Sequence, residues 1–244
     1  MSALRIERAG PILRVTIDKP ERRNAFDAEL IRELTEAFAD VGDARAVVLT
    51  GEGKSFCSGA DIEWQRSAID LSYEENVEDA LRLYRMLAAV DGCPAPVVAW
   101  IQGYCLGGGC GLAACVDIAV AADDAVFGFS EVKLGIIPAV ISPFVLAKIG
   151  PGAARRYFLT GERFGPEVAL RIGLVSEIGQ DLEAVVGELL TSGPAAVREA
   201  KRLVRPEPGD GRALAELAAR MRTGEEGQDG LRAFLERRKP GWTG

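Results

Sequence analysis

Histidine is missing from this chain altogether. That absence excludes Ser-His-Asp and Cys-His nucleophile systems, in which an imidazole takes the proton from the attacking group. It also thins the supply of metal ligands. The five cysteines (Cys57, Cys93, Cys105, Cys110 and Cys115) include no C-x-x-C pair and have no histidine with which to complete a zinc site, so no metal is expected. They read as reduced thiols of a cytoplasmic protein. Long apolar runs are absent as well: none approaches the roughly 20 residues a membrane-spanning helix needs. The opening stretch MSALRIERAG is charged and lacks the apolar segment of an export signal, so a soluble, unexported protein is expected. Positive charge is in deficit, with 29 Lys and Arg against 36 Asp and Glu, a formal net charge of −7. Such a surface is a poor match for nucleic acid or an anionic membrane and favours a small-molecule partner. Acid–base chemistry is left to carboxylates, Lys, Tyr or Cys.

What the chain does contain is enough apolar material for one large globular unit, 48% of 244 residues. LRIERAG and ILRVTID are two β-patterned runs joined at Ala9, Gly10 and Pro11, a predicted hairpin. From Asp27 to Ala39, Leu30, Ile31, Leu34 and Phe38 recur near helical spacing, with Asp27 placed to cap the helix. ARAVVLTG is a buried strand, residues 75 to 90 an amphipathic helix, and PAPVVAWIQG a further buried strand. DIAVAAD and AVFGFSE read as short strands, and 143 to 150, 151 to 160 and 166 to 173 as short helices. From about 182 the pattern is wholly helical, with RPEPGDG at 205 to 211 the one break strong enough for a hinge. Strand and helix alternating in this order predict an α/β core.

Two stretches carry chemistry. The strand ending in TGEGKSFCSGADIEW empties into Gly51, Gly53 and Gly59, a loop whose backbone can approach another group closely. Taken alone it also reads as an ordinary turn. IQGYCLGGGCGLAAC repeats the design, with a strand from Val97 to Ile101, then Gly107, Gly108 and Gly109, then a small-residue helix starting near Cys110. Backbone N–H groups at a helix start point outward and carry the positive end of its dipole. Two such turns facing one site would supply the pair of donors that holds a developing oxyanion.

The stretches RRNAF (22–26), KSFCSGADI (54–62), IQGYCLGGGCGLAACVDIAVA (101–121), FGFSEVKLGIIP (127–138), ARRYFLTGERF (154–164), GLV (173–175) and GLRAFLERRKPGW (230–242) together resemble the crotonase, or enoyl-CoA hydratase/isomerase, family in the family's own order. The resemblance implies a crotonase-like ββα spiral core over residues 1–190 that binds acyl-CoA, and a C-terminal helical trimerisation region over 191–244. It implies an enzyme assembled as a homotrimer or a dimer of trimers. The N–H groups of Ala60 and Gly108 would grip the thioester carbonyl. Arg23 and Ala25 of the RRNAF loop, with Ala60, Asp61, Ile62 and Glu63, would line the path of coenzyme A. Phe234 and Arg237 would reach coenzyme A held by a neighbouring subunit. No separate cofactor is implied, since coenzyme A arrives as part of the substrate.

The acid–base pair departs from the family pattern. Family hydratases carry one glutamate just after the GGGC run and another in the FG-x-x-E run; here the first position is Gly111 and only the second, Glu131, remains. Phe127, Phe129 and Val132 make apolar company for Glu131 and should raise its pKa toward neutrality, which suits a general acid or base; a solvated glutamate at a strand end is the plain alternative. A lone glutamate resembles the Δ3-Δ2-enoyl-CoA isomerases, whereas PAVISPFV with GGGCGL resembles the 3-methylglutaconyl-CoA and isohexenylglutaconyl-CoA hydratases of leucine and isoprenoid breakdown. The expectation is therefore a hydratase-type lyase, with the isomerase and a non-catalytic CoA-binding relative as alternatives. Asp117 reads as a structural turn acid, and Arg155 and Arg156 as a solvated helix face.

Overall fold

Gly10, at φ 58°, turns β1 (Leu4–Ala9) back onto β2 (Ile12–Ile17), and the two strands pair antiparallel with Ala9 opposite Ile12. The expected hairpin is present in the computed structural model, which describes residues 2–179, 181–204 and 210–243. Asp27 caps α1 (Ala28–Ala39) by accepting from the Leu30 N–H, and Leu30, Ile31, Leu34 and Phe38 form the helix's buried face as their spacing required. β3 (Ala46–Gly51) follows, then α2 (Ile62–Ala68) and α3 (Tyr73–Asp91). A capping box between Ser72 and Glu75 starts α3, two residues before the expected position.

The next segments reveal the repeat. β4 (Val97–Ile101) leads into β5 (Tyr104–Leu106) and then α4 (Gly108–Cys115). β6 (Ile118–Ala121) leads into β7 (Val126–Gly128), a one-turn helix over Glu131–Leu134, and α5 (Ser142–Thr160). Each repeat gives its first strand to a large sheet, ordered β1-β2-β3-β4-β6-β9, and its second to a small one, ordered β5-β7-β8, before a helix crosses back. Within the large sheet all pairs after the hairpin are parallel. β8 (Arg163–Phe164), α6 (Pro166–Arg171), β9 (Glu177–Ile178) and α7 (Leu182–Thr191) complete this part of the chain. The helices α8 (Pro194–Leu203), α9 (Gly211–Thr223) and α10 (Glu225–Glu236) follow.

Alternation along β3 shows how the large sheet is buried on both sides. Val47 and Leu49 join the main core with Leu13, Val15, Val97 and Ala99, while Ala46 and Val48 face the other way and pack with Val98 under Val186 of α7.

Several boundaries differ from the sequence reading. α2 replaces part of what reads as glycine loop, because Asp61 caps it by accepting from the Glu63 and Trp64 N–H groups. α4 begins at Gly108, two residues before the expected start, since Gly107 at φ 50° turns the chain directly into the helix. The two short helices expected over 143–150 and 151–160 are both present within α5, broken where the sequence placed the break, at Gly150, whose φ of 71° is non-helical. Most of the expected hinge, residues 205–209, lies outside the described residues.

Asp117 is structural, as its position between helix and strand suggested. Its Oδ2 accepts from the Val97 N–H at 2.7 Å and from Lys201 Nζ at 2.7 Å, and Lys201 also donates to the Ala95 carbonyl, so α8 is fastened to the start of β4. The Lys201 side chain is only 8% exposed. Lys201→Met strips a largely buried carboxylate of its cation and should cost about 3 kcal/mol in denaturant unfolding. A loss within about 0.5 kcal/mol, the range of an ordinary surface change, would refute this role.

Candidate active site

The site is built first from backbone. After β3 the chain runs beside β5, with the Cys57 N–H donating to the Tyr104 carbonyl at 3.0 Å and the Leu106 N–H donating to the Cys57 carbonyl at 3.0 Å. RRNAF holds the other side of the same segment. The Ser58 N–H donates to the Arg23 carbonyl, the Phe26 N–H to the Gly59 carbonyl and the Asp61 N–H to the Phe26 carbonyl. Fully buried Asn24 adds a side-chain staple, donating to the Glu52 and Ser55 carbonyls and accepting from the Lys19 N–H. The two glycine turns then meet. A Cβ on Gly59, at φ 94°, would fall 2.8 Å from the Leu106 carbonyl oxygen and 3.8 Å from the Gly108 nitrogen, and one on Gly109 would fall 2.3 Å from the Cys57 carbonyl oxygen. Glycine is required at both positions by contact, not by preference.

This close approach places the N–H groups of Ala60 and Gly108 on one cavity, and neither donates to a protein acceptor among the described residues. Gly108 opens α4, so its N–H also sits at the positive end of that helix. The cavity, about 290 Å³, is floored by these turns and by Phe26, and walled by Trp64 and Leu83 on one side and Leu134 through Ile141 on the other.

Glu131 enters from the start of the one-turn helix that closes at Gly135, rather than from a strand end. A Cβ added to Gly107 would lie 3.1 Å from Glu131 Oε1, so the carboxyl group lies over the triple-glycine turn where a side chain would crowd it. Its buried Oε2 has no hydrogen-bond partner among the described residues. Burial pushes the Glu131 pKa up, partly offset by its own backbone N–H. The cysteines do not compete for the role: burial raises the thiols of Cys57 (to about 12), Cys93, Cys105 and Cys115, leaving them protonated.

Gly111 is fully enclosed in α4, and its empty side is filled. A Cβ there would fall 2.5 Å from Ile141 Cγ2 and 2.8 Å from Ile141 Cβ. The family's first carboxylate position is thus closed by a β-branched side chain, a compensation 30 residues away that no local pattern reveals. A carboxylate installed at Gly111 alone would collide with Ile141.

The other expected contacts lie outside this cavity. Arg23, at φ 52°, lays its guanidinium 5.4 Å from the Tyr104 ring centre, and Arg163 approaches the same ring at 5.5 Å. Ala25 is buried, Asp61 is the α2 cap, Ile62 is 72% exposed and Glu63 pairs with Arg66. Phe234, 80% exposed, and Arg237 belong to the end of α10, which contributes no lining residue. Gln65, Asn76 and Asp79, which the sequence reading did not single out, do line the cavity. Their signal was weak, because the first half of α3 has no buried face to mark its orientation. No group of three or more potential metal ligands occurs among the described residues.

Two free backbone donors and one buried carboxyl group on a single cavity, mounted on repeating ββα units, are an arrangement that can stabilise a developing oxyanion and move a proton beside it. The sequence profile of the enoyl-CoA hydratase/isomerase family matches residues 7–244, and the chain belongs to that family. It is 32% identical over 239 residues to a crotonyl-CoA hydratase of Syntrophomonas wolfei, covering 91% of each chain. Among solved structures, Pseudomonas aeruginosa AtuE superposes with a TM-score of 0.93 at 36% identity, over 99% of this chain and 100% of that one. An enoyl-CoA hydratase from Shewanella pealeana superposes with a TM-score of 0.91 at 37% identity, over 98% and 96%.

Two outcomes follow from the packing. Gly111→Ala should destabilise the fold by about 1–3 kcal/mol through overpacking, and in combination with Ile141→Ala should show a favourable coupling on the order of 1 kcal/mol. Additive losses would mean that the two residues do not share the space. The second concerns pH. Because the native state holds the Glu131 proton more tightly than the unfolded chain, stability falls as pH rises above the ordinary value of 4.5 and through the raised native value. Glu131→Gln should therefore melt higher than wild type at pH 8, with the difference vanishing below pH 4.5; equal melting curves at pH 8 would count against it.

Proposed function

We propose that the protein is an enoyl-CoA hydratase-type lyase, adding water to, or removing it from, an acyl-CoA thioester. The observation that carries this reading is the meeting of the uncommitted Ala60 and Gly108 N–H groups with Glu131 in one cavity. In the addition direction the thioester oxygen accepts from both N–H groups. Water attacks C3, the C2–C3 π electrons move onto that oxygen, and the enolate collapses as C2 takes a proton. Glu131 receives the proton that the attacking water loses and returns one to C2, so one carboxyl group serves both transfers. Burial suits it to both roles by bringing its two protonation states closer in energy.

A second reading, the Δ3-Δ2-enoyl-CoA isomerase, is favoured by the closure of the Gly111 position, because proton shuttling between C2 and C4 needs no second carboxylate and no water. The narrower substrate suggested by the resemblance, a 3-methylglutaconyl thioester, carries a distal carboxylate for which no Lys or Arg lines the cavity. A 2-enoyl chain without that group fits its lining better. The non-catalytic alternative has least support, since it leaves an unpaired buried carboxyl oxygen without a purpose.

The exposed apolar residues Leu214, Leu231, Phe234 and Leu235 on α9 and α10 support assembly as a homotrimer or dimer of trimers. A cytoplasmic enzyme needing no cofactor beyond the coenzyme A of its substrate completes the proposal.

Crotonyl-CoA and 3-hexenoyl-CoA assayed side by side test it. Hydration of crotonyl-CoA is expected, with Glu131→Gln abolishing turnover while binding stays within about tenfold. Gly108→Pro, which deletes one donor, should lower turnover by roughly 10²–10³. Interconversion of 3- and 2-enoyl thioesters without hydration would replace the lyase with the isomerase.

A further inference from the structure

Three polar side chains face the cavity from α2 and α3, and their hydrogen bonds determine what they can offer a ligand. Asn76 spends its Nδ2 on the carbonyls of Ala68, Leu71 and Ser72, at 3.4, 3.1 and 3.0 Å. Gln65 directs its Nε2 at the Ala60 carbonyl, 3.5 Å away. The Asn76 amide thus has both donors turned to the backbone, while Gln65 commits one of its two. Asp79 lines the same cavity, its side chain 15% exposed, with Arg82 3.5 Å away as its counter-ion. Arg82 is itself 59% exposed and does not line the cavity. Asp79 is thus an acid in a lining that holds no Lys or Arg.

We propose that Asp79 is a specificity-determining residue that rejects acyl chains bearing a distal carboxylate and admits neutral ones, hydroxylated chains included. The proposal rests on the reading of this cavity as the acyl-CoA site and deepens it by naming the class of chain. The physical argument is one of exclusion. A carboxylate brought beside Asp79 loses water and meets like charge, while the nearest cation, Arg82, is already paired with Asp79 and lies outside the lining, and repulsion of this kind is a common source of specificity. A hydroxyl suffers no such loss, because it can donate to the same acceptors. The plain alternative makes Asp79 one half of a helix-surface ion pair, in which case its removal would affect every ligand equally.

Titration calorimetry on the native assembly with three six-carbon thioesters separates these cases: hexanoyl-CoA, 6-hydroxyhexanoyl-CoA and adipoyl-CoA differ only at the chain end. Adipoyl-CoA should bind about tenfold more weakly than hexanoyl-CoA, and Asp79→Asn should reduce that ratio at least threefold. 6-Hydroxyhexanoyl-CoA should stay within about threefold of hexanoyl-CoA. Arg82→Ala, which changes the charge without touching the cavity wall, should widen the adipoyl gap. Adipoyl-CoA within threefold of hexanoyl-CoA, a ratio that Asp79→Asn does not reduce at least threefold, a gap that Arg82→Ala leaves unchanged or narrows, or a hydroxyl rejected together with the carboxylate would each overturn the proposal. Binding is read without turnover, so a protein that binds hexanoyl-CoA but hydrates nothing would sink the lyase reading alone. One that binds none of the three would sink both.

Discussion

The site depends on one backbone contact, the pairing of the segment around Cys57 with β5. Two hydrogen bonds to Cys57, one on each side of it, set the register between the turn after β3 and the turn after β5. Only in that register do Gly59 and Gly109 lie where a side chain would strike the opposite main chain, and only then do the Ala60 and Gly108 N–H groups share a cavity. The fold supplies the register by repetition. Each unit sends a strand to the large sheet and a shorter one to the small sheet, and Cys57 pairs with Cys105 as an isolated bridge where the first unit's second strand would be. Electrostatic stabilisation of an enolate requires donors that are already in place when charge develops. A donor pair made of main chain, one in the turn after Gly59 and one at the start of α4, meets that requirement without any side-chain rotation.

Against this fixed floor the proposed acid–base chemistry has one buried carboxyl group, Glu131, and the packing around Gly111 leaves no room for a second at that position. Removing a carboxylate from a buried helix position leaves either a cavity or a new neighbour. Here the neighbour is Ile141, from the entry to α5, whose branched side chain takes up the vacant side of Gly111 and is itself buried. Ile141 also lines the cavity that Glu131 enters, where burial makes an ionised carboxylate costly.

Much of the fold was legible because its long elements obey simple periodicities: the hairpin, α1, β3, β4 and the bent α5 stand close to where spacing and Gly/Pro punctuation place them. The short elements were not. β5, at three residues, and β8 and β9, at two each, are held by pairing with strands distant in sequence, which leaves no local trace. The same division holds for the site. The glycine turns and an acid in apolar company, Glu131, were visible in the pattern, and the family resemblance picked Ala60 and Gly108 out of those turns, whereas Ile141 and Asp79 matter through three-dimensional placement. Ile141 looks like any core residue, and Asp79 like any solvated helical acid, until the cavity between α3 and the 134–141 segment is seen.

That cavity also separates what varies from what holds. Its floor is main chain, constrained by sheet register and intolerant of side chains. Its walls come from α2, the exposed half of α3 and the 134–141 segment, where Leu134, Ile136 and Ile137 stand 63%, 54% and 71% exposed. Residues with few packing partners can be exchanged at little cost to stability, so the preference for one acyl chain over another can change while the oxyanion pocket stays intact. The acid bridges the two regimes. Glu131 lies over the floor, where a Cβ on Gly107 would meet it, but is carried by a one-turn helix continuous with the 134–141 wall. A change in that wall will therefore alter chain preference and proton transfer together, whereas a change on α3 can alter chain preference alone.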